Sequence, residues 1–210
     1  MRLAASAAAV ALLGVAVAAA ALAPRFSASI SPVRWAELRY SYRAGCPVGP
    51  SQLRTVHMTY WGFDGRAHEG RLVVARRVAP DVVAVFRRLY AARFPIRRML
   101  PVSAYRGSDD ASMAADNTSA FNCRFVGGTT RWSMHAYGEA IDLNPVENPY
   151  VQGARVSPPT GRRYLDRTTR RPGMVIEGDA VVRAFAAAGW KWGGRWTGSK
   201  DYQHFSTTGR

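Results

Sequence analysis

Two of the four histidines stand in stretches crowded with other groups that hold metals or move protons. One stretch is Ser133-x-His135-x-x-Gly138-x-Ala140-x-Asp142, and the other is Asp201-x-x-His204-Phe205. Together they supply two imidazoles, a carboxylate able to join them on one cation, and a second carboxylate to spare. Two nitrogens and one oxygen are an apt donor set for zinc, and three protein ligands leave a fourth position open for water. The spare carboxylate, Asp201, then has the chemistry of a general base. His57 and His68 stand in no such setting and are read as hydrogen-bonded structural imidazoles.

His135 and Asp142 are seven residues apart, so they cannot share a helix face at the i, i+4 spacing. The expected arrangement is His135 ending a loop, Gly138 allowing a close turn, and Asp142 projecting from the strand Glu139–Leu143. Alternation places Ala140 and Asp142 on one face of that strand, with Ile141 and Leu143 on the other. His204 has to arrive on a separate, neighbouring strand. Asp201, three residues before it, would face the opposite side of a continuous strand, so a turn or bulge at Tyr202-Gln203 is required.

The remaining elements follow from periodicity and turn chemistry. Val56–Trp61 and Arg71–Ala75 read as strands of a hairpin, with Gly62-Phe63-Asp64-Gly65 between them. Pro80-Asp81 opens a helix whose stripe is Val82, Val85, Phe86, Leu89 and Tyr90, and Pro95 ends it. Ile96–Tyr105 is expected as a strand, and residues 108–130 and 144–159 as loops. A second helix is expected over about 179–188, with Gly189 as its stop. Trp190, Trp192 and Trp196 either wall the site or pack in the core. Strands and helices without regular βαβ alternation imply an α+β domain.

The N-terminus has an almost unbroken apolar run from Leu3 to Leu22 after Arg2. It reads as a signal peptide or an uncleaved N-terminal membrane anchor within residues 1–28. Residues 29–50, with three prolines, are expected as a tether, and 51–210 as the folded domain. Either form of leader puts the domain outside the cytoplasm. Cys46 and Cys123 would there be expected to form a disulfide, worth roughly 4 kcal/mol of chain entropy; two buried free thiols are the alternative. The net charge of +15 draws the chain toward polyanions. Export argues against nucleic acid and for anionic wall polymers or a membrane surface, and an arginine-rich codon bias would produce the same composition.

The paired motifs resemble the zinc D-alanyl-D-alanine carboxypeptidase and L-alanyl-D-glutamate endopeptidase (VanY-like) family. The resemblance extends over roughly residues 95–206, through Asp116-Asn-Thr-Ser119-Ala-Phe-Asn122-Cys-Arg124, Asn144-Pro145 to Asn148-Pro149-Tyr150, and Trp190-x-Trp192-Gly193-Gly194-x-Trp196. It implies a small antiparallel sheet flanked by helices, the zinc D-Ala-D-Ala peptidase (hedgehog-like) fold. It implies one Zn2+ held by His135, Asp142 and His204, and Asp201 as base where many members have Glu. A carbonyl-polarising arginine is also implied: Arg124, or Arg106 in Ser103-Ala-Tyr-Arg106. Ser119, Asn122 and Ser133 are implied around the substrate or the ligands. The implied substrates are peptidoglycan stem peptides, cut most simply as a D-alanyl-D-alanine carboxypeptidase. The alternatives are an L-alanyl-D-glutamate-type wall endopeptidase and a non-catalytic, metal-holding wall-binding module.

Overall fold

The computed structural model describes residues 24–210; the apolar run expected as a leader lies outside the described residues. Among the described residues no helix is long and apolar enough to cross a membrane.

The first sheet is built from β1 (Ala28–Pro32), β2 (Leu53–Trp61) and β3 (Ala67–Ala75), all antiparallel in that order. The expected hairpin is present and longer than its apolar stretches, running from Leu53 opposite Ala75 to Trp61 opposite Ala67. Residues 29–50, expected as a tether, carry most of β1 and the short helix α1 (Trp35–Leu38). They are held to the sheet by strand pairing from Ala28–Met58 to Pro32–Arg54. The buried Glu37 adds a second tie, its Oε2 accepting from the Thr55 hydroxyl at 2.6 Å. Cys46 and Cys123 form the disulfide, joining this segment to the centre of the chain.

Helix α2 (Ala79–Ala91) begins with a proline in its first turn, where no intrahelical N–H is missed, and with Asp81 at the positive end of its dipole. Val82, Val85, Phe86 and Leu89 are buried on one face, as the spacing predicts. The chain then turns at Arg93, which has φ +51°. The expected strand over 96–105 is reduced to β4 (Arg98–Met99), followed by a 3-10 turn at Val102–Tyr105. Pro101 lacks the N–H a longer ladder needs. Residues 108–130 are not all loop. They contain α3 (Asp109–Ala114), capped by the Ser108 hydroxyl, and β5 (Asn117–Thr118), parallel to β4.

The site is carried by another antiparallel sheet: β6 (Ala140–Asp142), then β11 (His204–Ser206) at its centre, then β9 (Lys191–Trp192). The loop expected over 144–159 contains a hairpin, β7 (Tyr150–Gln152) with β8 (Arg155–Ser157), and β10 (Lys200–Asp201) joins its edge. Helix α4 (Ala180–Ala186) is capped by Asp179, whose carboxylate accepts from the Val182 amide at 2.8 Å. Helix α2 packs on β2 and α4, and α4 on β9. One core therefore joins the first sheet to the site-bearing sheet, with Phe185 stacked on Phe205 at 3.9 Å. Trp190 and Trp192 belong to this core.

A buried acid pair lies beside that core. Glu147 is 1% exposed, accepts from the Tyr164 hydroxyl at 3.1 Å, and neighbours Asp116. Burial, then the Asp116 carboxyl, pushes Glu147 up to about 8. Because the folded state holds this proton more tightly than the unfolded chain, its stabilising effect is complete below the ordinary glutamate range. It is lost as pH rises toward 8. Glu147→Gln keeps a donor for Asp116 and carries no charge. Its melting temperature relative to the parent is expected to rise as pH goes from about 5 to 9; parallel curves across that range would refute the buried charge cost.

Candidate metal centre and cleft

The site is assembled from one loop and two strands. Ser133 caps the 3-10 turn Met134–Tyr137, its hydroxyl accepting from the His135 amide, and this turn delivers His135. Gly138 closes the turn at φ +70°, and a Cβ there would lie 2.6 Å from the Ala75 amide nitrogen, so only glycine fits. The next residues form β6, and its pairing with β11 sets His204 directly opposite Asp142. Ligand atoms of His135, Asp142 and His204 all lie within 4.8 Å of one another, and all three residues are buried.

Hydrogen bonds fix which nitrogens face inward. His135 Nδ1 is 2.6 Å from the Ala120 carbonyl, and His204 Nε2 is 3.3 Å from the Arg210 carbonyl. A carbonyl only accepts, so a proton on each of these nitrogens leaves His135 Nε2 and His204 Nδ1 turned toward Asp142 and able to bind a cation. Those two atoms face each other at 3.3 Å. Asp142 adds its oxygens at 3.1 Å from His135 and 3.2 Å from His204. Two lone pairs and a carboxylate converging in a buried space call for positive charge at their centre, so the residues fit a cation. Burial opposes charge on His135, yet Asp142 overrides it and raises the imidazole above its ordinary range. Burial also works to raise Asp142, but His135 and then His204 hold it well below the carboxylate range.

Asp201 ends β10, and the chain bends at Tyr202-Gln203 before β11 begins. The interruption that the three-residue offset requires is therefore present. Asp201 lines the same cleft as the three clustered residues, and its buried Oδ1 has no hydrogen-bond partner among the described residues. Burial is the main force pushing this carboxyl up to about 7. Gly193 lets the strand ends close up: a Cβ there would sit 2.7 Å from the Asp201 carbonyl oxygen and 3.3 Å from the His204 Cβ.

The cleft has a volume of 1490 Å³. Arg124 lines it, bonded to Asp109 at 2.9 Å, with its buried Nε unpartnered among the described residues. Arg106, the other arginine considered for the carbonyl, is exposed in a left-handed helix cap and does not line the cleft. Ser119 and Asn122 do not face it either; they support it through the backbone. Ser119 pairs with Asp142 at 2.9 and 3.0 Å, and the Asn122 amide donates to the His135 carbonyl at 3.2 Å. Of the three tryptophans, Trp196 alone lines the cleft, its ring centre 5.4 Å from that of His204.

Two features escape sequence reasoning. Glu139 lines the cleft, paired with Arg77 and accepting from the Thr207 hydroxyl at 3.0 Å. Its partners lie 62 and 68 residues away, and nothing local announces them. The other is the Asn144–Asn148 lock behind Asp142. The Asn148 amide nitrogen donates to the carbonyls of Leu143, Asn144 and Gly173, and its oxygen accepts from Arg167 and the Val175 amide.

Residues 127–207 match the family model described as D-alanyl-D-alanine carboxypeptidase. The matched segment contains His135, Asp142, Asp201 and His204, the residues on which the family resemblance rests; the resemblance over 95–126 lies outside it. Neither the curated proteins nor the solved structures give a significant match.

Proposed function

We propose, from this family match and the buried His–Asp–His cluster, that the chain is a zinc-dependent peptidase that hydrolyses peptidoglycan stem peptides outside the cytoplasm. The observation that carries the reading is the inward convergence of two imidazoles and one carboxylate beside a carboxyl with no hydrogen-bond partner among the described residues. His135, Asp142 and His204 would hold one Zn2+. Zinc there would supply Lewis acidity and lower the pKa of water at the site to around 7.

The chain's own groups do the rest. Asp201 accepts a proton from the water as its oxygen bonds to the peptide carbonyl carbon. It then returns that proton to the departing nitrogen as the C–N bond breaks. Arg124 donates to the carbonyl oxygen as negative charge builds on it, help worth about 3 kcal/mol for one well-placed donor. Ser133 holds the His135 turn, and Trp196 covers one side of His204.

D-Alanyl-D-alanine carboxypeptidase is the first assignment. Wall endopeptidase is kept as the second on one observation: the cleft exceeds the roughly 300–1,000 Å³ of ordinary ligand pockets, leaving room on both sides of a scissile bond. The family's hedgehog-like fold is proposed on the same footing, supported by the antiparallel β6–β11–β9 sheet with α4 behind it. Residues 1–28 as a signal or anchor, and anionic wall polymers or a membrane surface as further partners, are also proposals. The disulfide supports an oxidising compartment.

The test is digestion of defined muropeptides with mass analysis, alongside metal content. One zinc and loss of a terminal D-Ala are expected. An internal cut would instead select the endopeptidase, and intact muropeptides with zinc bound would leave a metal-holding module.

A further inference from the structure

One face of the molecule carries exposed aromatic rings interleaved with arginines, and it runs into the cleft. Trp35 on α1 is 62% exposed, and its ring meets Tyr42 edge-on at 6.2 Å. The Arg43 guanidinium lies 5.2 Å from the Phe125 ring centre and 5.3 Å from that of Trp132. Phe125 and Trp132 are themselves packed at 4.0 Å, and both line the cleft. Arg39 sits 5.2 Å from the ring of Tyr40, which is 48% exposed. Among the described residues Arg39, Arg43 and Arg131 form no ion pair with a carboxylate.

This face is rigid. The Cys46–Cys123 disulfide fixes it to the residue beside Arg124, the Cys123 amide donates to the Ser41 carbonyl at 2.8 Å, and the Tyr40 amide donates to the Ser103 hydroxyl at 2.9 Å. Tyr42 and Trp132 pack on one small buried cluster, so the rings are held before any ligand arrives. A row of exposed rings on an otherwise ordinary surface marks an interaction site.

We propose that this face binds the amino-sugar strand from which a stem peptide hangs. The inference rests on the peptidase reading in one respect: a stem peptide lying in the cleft brings its sugar chain past one mouth of it, and Phe125 and Trp132 stand at such an edge. The apolar C–H faces of pyranose rings match flat aromatic surfaces. Guanidiniums stacked on those rings keep their N–H edges free for acetyl and hydroxyl oxygens. A lipid surface is the less apt partner, because the large hydrophobic side chains exposed between Trp35 and Trp132, namely Trp35, Tyr40 and Phe125, are all aromatic.

The probe is a tetramer of N-acetylglucosamine, which carries no peptide, titrated calorimetrically into the full chain. Trp35→Ala and Arg43→Gln are each expected to weaken binding roughly tenfold, the loss typical of an anchoring side chain. Trp35→Ala should leave turnover of a sugar-free stem peptide unchanged, and His204→Ala should leave tetramer binding unchanged. A folded parent chain that ignores the tetramer, or a Trp35→Ala variant that binds it as well as the parent, overturns the proposal. So does detachment of both patch variants from phosphatidylglycerol vesicles with tetramer binding intact. Hydrolysis that fails while tetramer binding persists counts against the metal reading alone, and the reverse result counts against the patch alone.

Discussion

Replacing His204 with alanine is expected to empty the metal centre and abolish hydrolysis, while the fold survives. The imidazole supplies one of three inward donors, its Nδ1 lying 3.3 Å from His135 Nε2 and 3.2 Å from Asp142. Two remaining donors make a weak zinc site, because a catalytic zinc is ordinarily held by three protein ligands. The clearest reading is thermal. In the parent chain, zinc at about a thousand times its dissociation constant adds about 4 kcal/mol to stability, because it binds the folded state alone. The variant should gain almost none of this, and dialysed protein should hold well under one zinc per chain. A variant that keeps a full equivalent and the same zinc-induced rise in melting temperature would mean that the metal sits elsewhere. Acid should act like the mutation. The Asp142 carboxylate raises His135 above its ordinary range, so protons begin to compete for that nitrogen at a higher pH than for a free imidazole.

The parts of this site legible in the sequence are those set by local chemistry. Gly138 in a sharp turn between His135 and a short strand is a local signal, and the 3-10 turn with its left-handed glycine bears it out. The face carrying Asp142 follows from alternation, and the need for a bend between Asp201 and His204 follows from the pleat of a strand. The helix at 79–91 is legible because its apolar stripe is continuous. What could not be read is whatever depends on partners far along the chain. Arg106 and Arg124 look alike as sequence; tertiary packing puts one in a solvent-facing cap and the other beside Asp109 in the cleft. Residues 29–50 read as a tether because prolines and glycines break their periodicity. Their order comes from pairing with β2, from Glu37 under Thr55, and from a disulfide spanning 77 residues. The β7–β8 hairpin was hidden in the same way, since its three-residue strands are too short to show alternation.

Asp201→Asn is expected to retain the metal and lose about a thousandfold in turnover, the usual worth of a positioned general base. The side chain is nearly isosteric, and it coordinates nothing in the His135–Asp142–His204 cluster, so binding of zinc and of substrate should change little. The fall should therefore appear in kcat, with KM close to the parent value. The pH profile supplies the second reading. Burial holds the Asp201 carboxyl up to about 7, and a cation nearby can only pull that value down. A base acts when ionised, so parent activity should be full above neutrality and fall as pH drops through a value at or below about 7. The asparagine variant should leave only residual turnover, without the Asp201 limb and falling in acid only where protons displace the metal from His135. Turnover within a few-fold of the parent would transfer the role to another group; Glu139, bound to Arg77 on the cleft wall, would be the first to examine. That ordering follows from the atoms. Glu139 already accepts from Arg77 and Thr207, whereas no donor among the described residues occupies the buried Asp201 Oδ1.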